Sequence, residues 1–164
     1  MVSFAVGDLA VYQGQGVGRI TEVGPMEVAG ASLTVYTVTM ESGTIVRVPT
    51  HRARDVGLRG LVEPAQVADV YTILRGEPDH PTDKAWNRRH RIYSDKLRSG
   101  SVQALAEVTR DLSRLRDDKD LSYGERQMLD QARTLLVREL ALATERDEFE
   151  VARELEQLLA LEGE

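Results

Sequence analysis

The chain has 164 residues, of which 41% are hydrophobic and 29% charged, with a formal net charge of -6; this balance belongs to a folded protein with a core rather than to a disordered one. It contains no cysteine, which excludes disulfides and thiolate metal sites and fits a reducing cytoplasm. The opening MVSFAVGDLA lacks a basic stretch followed by a long apolar run, and no segment approaches the ~20 apolar residues that cross a bilayer, so the reading is cytoplasmic with no membrane partner.

From residue 1 to about 60 the chain reads as short strands. Leu9 to Tyr12, Val17 to Val23, Leu33 to Met40 and Thr44 to Val48 are rich in Val, Ile, Thr and Tyr, and a fifth strand near Val56 to Leu58 suggests a small barrel. Gly14, Gly16 and Gly18 mark the first turn, Gly24-Pro25 and Gly30 the second, and Ser42-Gly43 a tight hairpin. Closely spaced glycines also occur in phosphate-binding loops, but those open a helix, whereas Arg19 to Val23 alternates like a strand; the run reads as a glycine-rich hairpin.

Near residue 60 the period changes from about two to about 3.6, which divides the chain into a β domain over 1–60 and a helical domain over 61–164. Pro64 suits a first helical position, and Val67, Val70, Tyr71 and Leu74 line one side of a helix that stops at Gly76. After Pro78 and Pro81, Thr82 or Asp83 can cap a second helix running to Ser99-Gly100, with Trp86 one turn in. Ser101 can cap a third helix, with Leu105, Val108, Leu112 and Leu115 at core spacing, ending in the charged turn Asp117 to Asp120. Ser122 to Glu125 has the capping-box pattern for a fourth helix with Met128, Ala132, Leu135, Leu136 and Leu140 inward. Asp147 to Glu150 can cap a fifth that carries Phe149, Ala152, Leu155 and Leu159 on its apolar side. The fold class is α+β: about five strands in a small barrel, then about five helices.

No organised catalytic motif is present. His51, His80 and His90 are scattered without an HExxH pairing, no GxSxG elbow places a nucleophile beside a base, and Asp117 and Asp118 look like solvated caps. The reading is therefore a protein that is not an enzyme and needs no cofactor or metal. An enzyme or nuclease that used the histidines and carboxylates would need segments far apart in sequence to converge.

The chemistry concentrates in Trp86 to Gly100. Between Lys84 and Arg98 stand six basic residues and one acid, Asp95, inside an acidic chain that contains a single tryptophan. An acidic protein attracts a polyanion only through a local basic face. Trp86 in the first turn beside Arg88, Arg89 and Arg91 suits a site that grips phosphates and presses an apolar wedge against bases. Two bland readings compete: Trp86, His90, Tyr93 and Leu97 share a side of the helix, so the ring can be a core anchor, and the arginines can be a solvated face paired with the acidic last helix.

WNRR, KLRSGS, AEVTRDL, DKDLSYGERQMLDQAR and LLVREL, together with FAVGDLAVY, GQGVG, VAG, TIVRVP and VGLRG, resemble the CarD/CdnL family of bacterial transcription factors over almost the whole chain. The resemblance implies a Tudor-like N-terminal barrel that docks on the RNA polymerase β subunit, with Arg47, Val48 and Pro49 at the contact, where a sheet edge can accept a partner strand. It also implies that the helical domain touches promoter DNA near the -10 region, at the upstream edge of the melted bubble and without reading sequence. Trp86 would be the wedge there, and Arg88, Arg89, Arg91 and Arg126 the basic contacts. The expected outcome is a monomer that stabilises the promoter open complex. The alternative is an adaptor that keeps the polymerase contact but recruits another protein through its helices. The chain departs from the family pattern at Gln13, where proline is usual, and at His90, where tyrosine is common.

Overall fold

The computed structural model describes residues 3–78, 86–118 and 120–160. The chain falls into two compact units, Met1–Leu61 and Val62–Glu164, each with its own core.

The first unit is one antiparallel sheet of strands β1 (Leu9–Tyr12), β2 (Gly16–Val28), β3 (Ala31–Met40), β4 (Ile45–Pro49) and β5 (Leu58–Arg59), in the order β4-β3-β2-β1-β5. Alternation sends Ala10, Ile20, Tyr36, Val38, Met40, Val48 and Leu58 into a shared core. Phe4 closes it with an edge-on contact to Tyr36, ring centroids 5.4 Å apart. The expected glycine hairpin joins β1 to β2, with Gly14 and Gly16 at φ of 70° and 98°, where a Cβ would strain the turn. Gly18 serves packing instead, since a Cβ there would lie 2.8 Å from both Met40 Sδ and Val38 Cγ1.

Gly24-Pro25, expected as a turn, lies inside β2. Pro25 pairs with Thr34, and the reversal comes later, where β2 ends at Val28 and β3 starts at Ala31, with Ala29 and Gly30 both at positive φ. A register shift between Ile20 and Glu22 allows the strand to bend there. Gln13 donates its backbone N–H to the Gly57 carbonyl at 3.1 Å, a bond that proline could not make.

The second unit is built, among the described residues, from α1 (Pro64–Arg75), α2 (Trp86–Ser99), α3 (Val102–Asp118), α4 (Tyr123–Thr144) and α5 (Glu148–Ala160). Val70, Leu74, Tyr93, Leu97, Leu105, Val108, Leu112, Leu136, Leu140, Val151 and Leu155 form its core. The capping box at α4 is present, with Ser122 Oγ accepting from Glu125 N and Glu125 Oε1 accepting from Ser122 N, each at 3.2 Å. Ser101 Oγ accepts from Ala104 N at the start of α3. Asp117 and Asp118, expected to open a charged turn, still belong to α3, which continues to Asp118. Thr82 and Asp83 lie outside the described residues.

Polar ties bind these helices together. Arg110 and Arg114 of α3 donate to the Ile73 and Leu74 carbonyls at the end of α1, giving that helix terminus cationic caps. The buried Glu139 of α4 accepts the Val62 backbone N–H at 2.8 Å. One expectation fails in α5: Val151, Leu155 and Leu159 are buried, but Phe149 is 83% exposed. Phe149 precedes Val151 by two residues, about 200° around a helix, so it points away from the stripe that Val151 and Leu155 form.

Candidate nucleic-acid interface

The described part of α2 begins at Trp86. Tyr93 and Leu97 are buried while Arg88, Arg91, Asp95 and Arg98 are exposed, so the helix is amphipathic with a basic outer side. Two of the cations of α2 form ion pairs with carboxylates near them. Arg98 pairs with Asp95 in its own helix, and Lys96 meets Glu107 of α3 at 2.5 Å. Lys84 lies outside the described residues.

Arg89 corrects the expectation most sharply. It is only 4% exposed, and its Nε and Nη2 donate to Glu125 Oε2 at 3.2 and 3.0 Å. A guanidinium enclosed against a carboxylate is not available to a phosphate, so Arg89 leaves the set of surface contacts. The sequence carried the signal for this: Arg89 lies four and eight residues before Tyr93 and Leu97, on the side of α2 that they bury.

Glu125 therefore serves two structures at once. Its Oε1 completes the α4 capping box, and its Oε2 holds Arg89 of α2. Burial pushes the Glu125 carboxyl up, but the hydrogen bonds from Ser122 and Arg89 and the Arg89 charge outweigh it, leaving the group below its ordinary value. Nearby, burial and the charge of Asp111 push the Tyr93 hydroxyl well up, so it stays protonated. The next residue of α4, Arg126, is exposed. The buried pair thus lies between Arg88 on one helix and Arg126 on the other, each its immediate chain neighbour.

In the first unit, Arg47, Val48 and Pro49 fall on β4, which pairs with β3 and ends the sheet. Arg47 is exposed and Pro49 half-buried. Val48 is only 2% exposed, within the core, so its side chain is not a surface contact. Ile45, on the same strand, is 56% exposed and was not singled out from the sequence. Among the described residues no group of His, Asp and Glu side chains is placed to hold a metal; His80 is outside them.

Two family models match the chain. The CarD-like/TRCF RID domain matches residues 4–62, and the CarD C-terminal domain matches residues 69–156. The chain belongs to the CarD family of transcription factors. It is 32% identical over 139 residues to YdeB of Bacillus subtilis (strain 168), a candidate transcription factor, covering 84% of this chain and 90% of that protein. It also matches the solution NMR structure of the 72-residue N-terminal domain of Myxococcus xanthus CarD, at 39% identity and a TM-score of 0.32, covering 37% of this chain and 81% of that one. Among the described residues of this CarD-family chain, no helix is long and apolar enough to cross a membrane.

Proposed function

We propose that the protein binds the RNA polymerase β subunit through β4 and stabilises the promoter open complex through the helical unit. In this reading Trp86 is set as a wedge at the upstream edge of the bubble, and Arg88, Arg91 and Arg126 hold phosphates. The observation that carries it is the exposed basic side of α2 with Arg126 of α4, in a chain whose net charge of -6 would otherwise repel DNA. Phosphate contacts hold register without reading sequence, and ring-to-base contact supplies ~1 to 3 kcal/mol. Because 1.4 kcal/mol is a tenfold change in an equilibrium, one wedge is enough to bias opening. The polymerase supplies the local concentration, which lets a weak, unspecific contact act only at promoters. One copy is sufficient, and the chemistry needs neither catalysis nor a cofactor.

The test is the lifetime of promoter open complexes with purified polymerase. Wild type should lengthen it, and Trp86→Ala should remove most of that gain while polymerase binding stays intact. Loss of folding with the substitution would make Trp86 a core anchor instead.

One observation favours the adaptor reading. Phe149 lies over a groove of about 340 Å³ lined also by Val137, Ala152, Asp130 and Glu148, an exposed aromatic of the kind that anchors protein contacts. If wild type binds polymerase without changing open-complex lifetime, and its DNA affinity is insensitive to salt, the adaptor reading replaces the wedge.

A further inference from the structure

The candidate DNA face is assembled from two helices that are far apart in the chain. Trp86, Arg88 and Arg91 come from the first turns of α2, whereas Arg126 comes from the first turn of α4. Two long helices in contact can slide and rotate across an apolar seam at small cost, because dispersion contacts are individually weak and not directional. A guanidinium that donates two N–H groups to a carboxylate is directional.

That directional contact is present at this crossing. Arg89 Nε and Nη2 both reach Glu125 Oε2, and the two side chains are 5% and 3% exposed. Glu125 cannot swing to follow Arg89, since its other oxygen is committed to the Ser122 N–H and its own N–H to Ser122 Oγ. Arg89 is thereby anchored to the helix terminus of α4 rather than to a free rotamer. Along α2, Arg89 stands one turn beyond Trp86; along α4, Glu125 directly precedes Arg126.

We propose that Arg89 and Glu125 are positioning residues: they lock the angle and rotation of α2 against α4, and so hold Trp86 and Arg88 in register with Arg126. The consequence for DNA rests on the open-complex reading above, but the lock itself does not. A buried ion pair is weak as a source of stability and can often be replaced by apolar side chains without loss of folding; here it supplies geometry.

The test uses Arg89→Met combined with Glu125→Gln. Met fills the space of the guanidinium stem, and Gln keeps the capping box. Spin labels at Arg91→Cys and Gln127→Cys, in a chain that has no other cysteine, report the α2–α4 distance by pulsed EPR without any DNA. Thermal unfolding and affinity for forked duplex DNA are read on the unlabelled protein. The pairless variant should stay folded, show a broadened or shifted distance distribution, and lose about tenfold or more in fork affinity, comparable to one lost base-stacking contact. If it melts early, Arg89→Lys alone, which keeps the charge but loses the fork of donors, should give a smaller broadening in the same direction.

An unchanged distance distribution in a folded variant overturns the lock. Lost fork affinity at unchanged distance also overturns it, by making Arg89 a direct contact. A broadened distribution in a protein whose wild type holds no forked DNA upholds the lock and overturns the DNA reading instead.

Discussion

The two candidate contact regions are built in opposite ways. The region proposed to face the polymerase is one short strand, β4, whose residues are contiguous in sequence and whose register follows from its pairing with β3. The candidate DNA face draws on α2 and α4, and it depends on a buried pair, Arg89 and Glu125, whose members are 36 residues apart. A contact region made of one strand can lose a side chain and keep its shape. A region joined across two helices loses its shape when the joint fails.

The sharpest way to break this contrast is Arg89→Ala. It strands Glu125 as a buried, uncompensated charge, and removal of one partner from such a pair costs about 3–5 kcal/mol. Chemical denaturation followed by the fluorescence of the single tryptophan should show that loss in the helical unit, while amide exchange in the β unit stays unchanged. The second effect is Trp86→Ala itself, expected to shorten open-complex lifetime by the equivalent of ~1 to 3 kcal/mol with no change in polymerase binding.

Ser122→Ala is next in size. Loss of the hydroxyl that accepts from Glu125 N should destabilise the helical unit by about 1 kcal/mol in the same denaturation experiment. The pH dependence sharpens the point. Glu125 is held below its ordinary value by its hydrogen bonds and by the Arg89 charge, against a burial penalty that acts the other way. A carboxylate depressed in the folded state adds stability above its unfolded value and loses it as pH falls through the folded value. The gap in stability between wild type and Glu125→Gln should therefore be full near neutral pH and shrink once pH drops below the ordinary carboxylate range.

The smallest effect distinguishes surface arginines from the buried one. Replacing Arg88, Arg91 or Arg126 singly by Ala should lower the slope of log affinity against log salt by ~0.9 each if each neutralises one phosphate, with unfolding unchanged. On the β unit, Arg47→Glu should weaken polymerase binding and leave stability within about 0.5 kcal/mol, as exposed substitutions do.

Much of this was legible from residue order because it is local. Strand alternation placed β1 within its observed bounds, Pro64 and Gly76 bracketed α1, and the Ser122–Glu125 pattern located the start of α4. The misses share one physical cause. Gly24-Pro25 carries turn chemistry, yet pairing with β3 carried β2 on to Val28. Phe149 is apolar, yet its angular place on α5 faces away from the core. Val48 and Arg89 belong to the expected contact segments, yet their side chains point inward.

By itself, then, the amino-acid order determined the change from strands to helices, the caps of α3 and α4 and the concentration of cations around Trp86, because each rests on neighbours within a few positions. Only the tertiary structure supplied the partner that fixes Arg89 on the buried side of α2. Arg89 was drawn out of the basic run by a carboxylate that no local rule connects to it, and a buried charge goes where its partner is.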